Sequence, residues 1–137
     1  MTNILYPVFV LVLLSFVILL MMAKERFAAI QRREVTAEPG VRPVFRGRAG
    51  QVSNAYHNLL EFPVLFYAVV AFAMATDGDD GWMIIFAWVF VAFRAVQALI
   101  HVTYNNVTHR FLAFSVSVIV LGAMWVKLFF HVSSASI

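Results

Sequence analysis

Four stretches of this chain, residues 3–23, 54–76, 81–104 and 110–132, are apolar almost throughout. Each is long enough to cross a hydrocarbon core, which takes about 20 helical residues. Its side chains are 63% hydrophobic and only 12% charged, whereas a soluble domain of this size keeps a charged surface because it buries too little of itself. Lipid is therefore the expected solvent. The expected fold class is all-α, an integral membrane up-down four-helix bundle, with residues 1–137 forming a single four-span domain. The first stretch lacks the basic leader and small-residue cleavage site of a signal peptide, so it is read as a span.

The connections set the orientation. Lys24, Arg26, Arg32, Arg33, Arg42, Arg46 and Arg48 all lie between the first and second spans, whereas "TDGDDG" between the second and third carries only acidic charge. Beside a membrane span such a basic stretch is a topology signal rather than a nucleic-acid patch, and it stays in the cytoplasm. Both termini are then expected on the opposite side, with Arg110 at the second cytoplasmic turn and Lys127 snorkelling to the far interface. "AKERFAAIQRRE" extends the first helix until Pro39, Gly40 and Pro43 break it. The chain has no cysteine, which excludes disulfides, thiolate metal sites and a cysteine nucleophile.

Against this apolar background the polar residues form a pattern. In "NAYHNLLEFP" Asn54, His57, Asn58 and Glu61 recur at three and four residues and share one face of the second span. Arg94, Gln97, His101 and Tyr104 or Asn105 repeat the spacing on the third. Glu61 lies about 11 Å inside one span and Arg94 about 15 Å inside the other, both from the cytoplasmic side at 1.5 Å per residue. An acid and a base at that depth are expected to pair, since an unpaired charge there costs several kcal/mol.

Each position also has a plainer reading. Glu61 and Arg94 alone would make a clasp between two helices, although the stripe holds more polar groups than a clasp needs. Ser53 and Asn54 suit a helix N-cap, His57 an interfacial position, and Tyr104 an aromatic belt. His101 is either a ligand contact or a hydrogen-bonded bundle histidine, and Arg110 either a functional group or a topology anchor. No two histidines stand four apart on one helix, so no metal site is expected.

Arginines, amides, one carboxylate and a histidine suit a small zwitterion with more than one carboxylate. Guanidinium binds carboxylate in a two-bonded fork, and amides satisfy peptide groups. Glutathione has this pattern, and in a chain without cysteine the sulfur would come from the ligand. The run "HNLLEFPVLF", then "AWVFVAFRAVQALIHVTYNN" and Arg110 before the fourth span, resembles the MAPEG family, the membrane-associated proteins of eicosanoid and glutathione metabolism. The likeness extends from the first span to "MWVK", and its "HNLxE" form is similar to a bacterial branch.

That resemblance implies a homotrimer in a bacterial inner membrane, with glutathione bound between subunits on the cytoplasmic side. It implies a glutathione-dependent transferase or peroxidase acting on lipophilic substrates that enter from lipid. Asn58 and Glu61 match the family motif, Arg94 and Arg110 match arginines near its ligand, and Arg26 matches a basic residue ending the first helix. Asn54, His57 and Gln97 complete the expected ligand contacts, and His101, Tyr104 and Arg110 are the candidates for catalysis. The chain departs from the pattern where Asn54 replaces an arginine, Phe62 follows the motif glutamate, and Gln97 and His101 stand at tyrosine-type positions. Two other readings stay open: a non-catalytic membrane module that binds a ligand or partner in the same pocket, and a carrier relaying protons through Glu61, His57 and His101. A carrier needs polar groups through the whole thickness, yet "VLFYAVVAFAMA" and "WMIIFAWVF" are apolar.

Overall fold

A computed structural model describes residues 3–35 and 38–135 of the chain. Five helices follow in order: α1 (Leu5–Gln31), α2 (Gly47–Glu61), α3 (Pro63–Ala75), α4 (Gly81–Val102) and α5 (Val107–Ala135). Among the described residues there is no strand. The fold is all-α, and four helical units are long and apolar enough to cross a membrane, α2 and α3 counting together as Gly47–Ala75. These two are divided at Pro63, whose ring excludes an N–H and crowds the carbonyl of Leu59 four residues back. Phe62 between them keeps helical dihedrals, φ −71° and ψ −36°, so the axis continues while its hydrogen-bond ladder is interrupted.

The second helix starts earlier than its apolar run. It begins at Gly47, and Arg46 in the N-cap position makes no side-chain cap bond. Ser53 and Asn54 are therefore interior to α2 and cap nothing, contrary to what their residue types suggest. Gly47 turns the chain into the helix at φ +60°, a conformation that costs glycine little. Gly50 admits the incoming loop, because a Cβ there would lie 2.5 Å from the Phe45 carbonyl oxygen.

Polar contacts at the two ends fix the direction of each helix. At the basic end Arg48 donates to the Val102 carbonyl, Gln51 Nε2 donates to the His101 carbonyl at 2.6 Å, and Arg26 donates to Ser53 Oγ at 3.0 Å through Nε. The start of α2 thus meets the ends of α4 and α1. At the acidic end His131 Nε2 donates to the Thr76 carbonyl at 2.8 Å, and Lys127 meets Asp80 at 2.7 Å. Consecutive spans consequently run in opposite directions.

The buried face of α1 carries Pro7, Leu11, Ile18, Met22 and Ala29, spaced alternately four and seven residues apart, one and two helical turns. Phe66 of α3 stacks on Phe90 of α4 with centroids 4.5 Å apart. The outward face is equally apolar: Leu13 is 65% and Leu20 69% exposed, which water would penalise and acyl chains accept.

Asp80 begins α4 as its N-cap, with Oδ1 accepting from the Met83 N–H at 3.0 Å while Oδ2 takes Lys127. The Lys127 ammonium chiefly holds this carboxyl below its ordinary pKa, against the opposing effect of burial and with help from the Met83 N–H. A lowered carboxyl pKa stabilises the fold above the unfolded value and ceases to do so as pH falls through the folded one. Melting in detergent should therefore become acid-sensitive below about pH 4. Asp80→Asn, which keeps a capping oxygen, should lose Asp80's share of that sensitivity while costing no more than about 1 kcal/mol at neutral pH, the pair being half exposed. Parallel melting curves of the two proteins across acid pH check this, and identical acid slopes would show that the bridge contributes nothing.

Candidate functional site

The last four carbonyls of any helix lack an intrahelical partner. In α2, whose C-cap is Phe62, these begin at Leu59, and Arg94 of α4 reaches the same last turn, donating to the Asn58 carbonyl. Its other terminal nitrogen donates to Gln97 Oε1 at 2.8 Å, and its guanidinium lies over the Phe114 ring, 5.8 Å from the centroid. Arg94 is 1% exposed. α2 returns the favour at the other end of the contact, where Arg48 and Gln51 cover the terminal carbonyls of α4. The two helices thus cap each other.

Glu61 and Arg94 do not form the ion pair expected from their depth. Among the described residues the salt bridges are Arg32–Glu34, Arg48–Glu25 and Lys127–Asp80. Glu61 is exposed and acts on the guanidinium only through space. The reason is competition: the Asn58 carbonyl and Gln97 Oε1 take the guanidinium, and the exposed Glu61 carboxylate keeps its own solvation.

Glu61 instead lines a cavity of about 480 Å³ at the basic end. Asn54, His57 and Asn58 line it from α2, His101 from α4 and Arg110 from α5, so most of the residues picked out by helical spacing converge here. His57 Nδ1 donates to the Ser53 carbonyl at 2.7 Å, which leaves Nε2 of a neutral ring as an acceptor. Asn58 Nδ2 donates to His101 Nδ1 at 3.4 Å, and His101 is 3% exposed. Arg110 donates to Asn105 Oδ1 at 2.6 Å. Asn58 and Arg110 also line a second recess of about 230 Å³, completed by Gln97, Val107, Phe111 and Phe114. A polar chamber and a largely apolar one therefore share two residues.

Four candidates, Arg94, Gln97, Arg26 and Tyr104, stand apart from the polar chamber. Arg94 lies behind it with Gln97, against Ala55 and Leu59. Arg26 is held by Ser53 and by the Phe45 ring, 4.8 Å from its centroid. Tyr104 is 62% exposed and shares a 2.9 Å hydrogen bond with His109 Nδ1. Conversely, Arg42, Gln51 and Asn105 line the chamber. Gln51 continues the α2 stripe one turn earlier and is found by extending the spacing past the apolar boundary. Asn105 was the alternative to Tyr104; its φ of +52° and its N–H bond to the Ile100 carbonyl at 2.8 Å turn it away from the helical register. Arg42 comes from an irregular loop and leaves no periodic signal. Among the described residues no three His, Asp or Glu side chains gather as metal ligands.

Removing the Arg94 guanidinium would leave the Asn58 carbonyl and the Gln97 amide without their donor. Arg94→Ala should accordingly lower unfolding stability by about 2–4 kcal/mol, measured by thermal or denaturant unfolding in detergent with no ligand present. Arg94→Lys should recover only part of this, since an ammonium cannot serve both acceptors with the same fork.

A sequence model of the MAPEG family matches residues 4–130, nearly the whole chain. No curated protein and no solved structure matches it. With four apolar helical units, a polar chamber assembled from the "NxxE" face of α2 and a match that runs from the first span into the last, the chain is a multi-pass membrane protein and belongs to the MAPEG family.

Proposed function

We propose that the protein is a glutathione-dependent transferase or peroxidase acting on lipophilic substrates. The observation that carries the reading is the pairing of the two recesses: a polar one matched to a tripeptide and, sharing Asn58 and Arg110 with it, an apolar one. Glutathione presents two carboxylates, one ammonium and two peptide groups. The polar chamber presents two guanidiniums (Arg42, Arg110), one carboxylate (Glu61) and the amides of Gln51, Asn54, Asn58 and Asn105, and its volume is in the range of small-molecule sites, about 300–1,000 Å³. In this assignment the arginines bind carboxylates, Glu61 the ammonium, and the amides the peptide groups.

The thiol then lies toward the shared wall, where the Arg110 charge favours its thiolate. The lining supports His101 over Tyr104 as the side chain nearest the sulfur. An electrophile from the bilayer would enter the Phe111 and Phe114 recess, where the thiolate forms a bond to it and displaces its leaving group. Arg94 and Gln97 act here as positioning residues that hold Asn58. Family membership supports glutathione as the co-substrate and a homotrimer as the working unit. The seven basic residues between the first two spans support an orientation with this end in the cytoplasm and both termini outside, and the likeness of "HNLxE" to a bacterial branch supports a bacterial inner membrane.

A second reading, a membrane module that binds without catalysis, is favoured by one observation: Tyr104 is turned to His109 and the chamber lining contains no hydroxyl side chain to assist the thiol.

The test is thermal unfolding of the detergent-purified protein with millimolar glutathione. Stabilisation is expected, and Arg110→Gln and Glu61→Gln should each weaken apparent affinity about tenfold, or about 1.4 kcal/mol. No stabilisation at millimolar ligand overturns the glutathione-dependent enzyme and leaves a module that binds another ligand or a partner. Turnover of a chromogenic electrophile separates them: the enzyme should show it, and His101→Ala should lower kcat about tenfold or more with little change in glutathione affinity.

A further inference from the structure

A second polar cavity, of about 370 Å³, lies apart from the chamber, where the end of α1 meets the start of α2. Its charged lining consists of Arg32, Arg46 and Arg48 with Glu25 and Glu34. Arg32 is tied to Glu34 at 3.6 Å and Arg48 to Glu25 at 3.9 Å, whereas Arg46 is in no salt bridge among the described residues. Three guanidiniums against two carboxylates leave one positive charge, centred on Arg46.

The position of this charge relative to the bilayer is informative. Lys24 is the first charged residue after the apolar run of α1. Glu25 and Arg32 lie about 2 and 12 Å beyond it along the helix direction, which brackets a headgroup layer about 5–8 Å thick on each side. Side chains on the same segments are apolar and exposed, Phe27 at 63%, Ile30 at 48% and Val44 at 73%. Water would disfavour them at this level, and the upper part of an acyl chain would cover them.

We propose that this cavity binds the headgroup of an anionic glycerophospholipid, its single phosphodiester charge held by Arg46 with Arg32 and Arg48 beside it. One unbalanced guanidinium matches one phosphodiester, and guanidinium is the side chain best shaped to hold two phosphate oxygens. Basic recesses between membrane helices are suited to such headgroups. The two carboxylates offset the charges of Arg32 and Arg48 and so disfavour more highly charged anions. The apolar rim selects a lipid over a soluble phosphate of the same headgroup chemistry. The inference does not depend on the glutathione reading, since the two cavities share no lining residue.

The test is thermal unfolding of the full chain in an uncharged maltoside detergent, titrated separately with dioleoyl phosphatidylglycerol, dioleoyl phosphatidylcholine and sodium phosphate. Phosphatidylglycerol should raise Tm saturably, and the other two should not at the same concentration. Arg46→Gln should weaken the apparent affinity about tenfold, Arg46→Lys less, and Arg33→Gln, an exposed arginine outside the lining, by less than twofold. Should Arg46→Gln fail to fold, Arg32→Gln, which lies beyond the end of α1, gives the same comparison. An equal shift with phosphatidylcholine overturns the proposal, as does an equal loss in Arg46→Gln and Arg33→Gln, which marks diffuse surface charge. A full shift with sodium phosphate alone also overturns it, by marking a soluble-anion site.

Discussion

Backbone carbonyls at a helix end have nowhere to turn inside a membrane, and the structure depends on how two helices solve this for each other. Arg94 reaches from α4 to the terminal turn of α2, and Arg48 and Gln51 reach from α2 to the terminal turn of α4. Each donor also carries charge or polarity to the negative end of the helix it caps, where the peptide dipoles favour it. The exchange fixes the separation and register of α2 and α4 at the level where the polar chamber opens. His101 and Asn58 face each other because Gln51 and Arg94 hold the backbone on either side of them. The chamber is therefore a by-product of capping, lined by the side chains that remain after the carbonyls are satisfied.

How much of this can be read from residue order depends on which force placed each group. The spans were legible because hydrocarbon imposes a length, and the stripe Asn54, His57, Asn58 and Glu61 because a helix imposes a period. The start of α2 at Gly47 was not, since it is set by contacts of Arg48 and Gln51 with α4, and apolarity ends before that point. Depth along a helix suggested that Glu61 and Arg94 would meet. Depth says nothing about azimuth or about a competing acceptor, and the Asn58 carbonyl with the Gln97 amide took the guanidinium instead. Arg42 entered the chamber from a loop whose path no periodicity encodes.

The division of labour among arginines has a chemical logic. Arg94 and Arg26 are engaged by the protein itself, the former almost wholly buried. Arg110 keeps one face on the chamber while Asn105 steadies it, and Arg46 has no counter-ion among the described residues. Arginines whose guanidinium is turned to groups of the protein hold the framework, and those that face a cavity are the ones able to receive a ligand. Family membership alone does not make this distinction, because the matched positions include both kinds.

The proline break has one more effect. It splits the second span between different neighbours, α2 packing on α1 and α4, and α3 on α5 and, through Phe66, on α4. Pro63 supplies no N–H to the Leu59 carbonyl, so the two halves share a weaker ladder and take their alignment mainly from their separate neighbours. Glu61 ends the half whose face lines the chamber, and that half is positioned by α1 and α4.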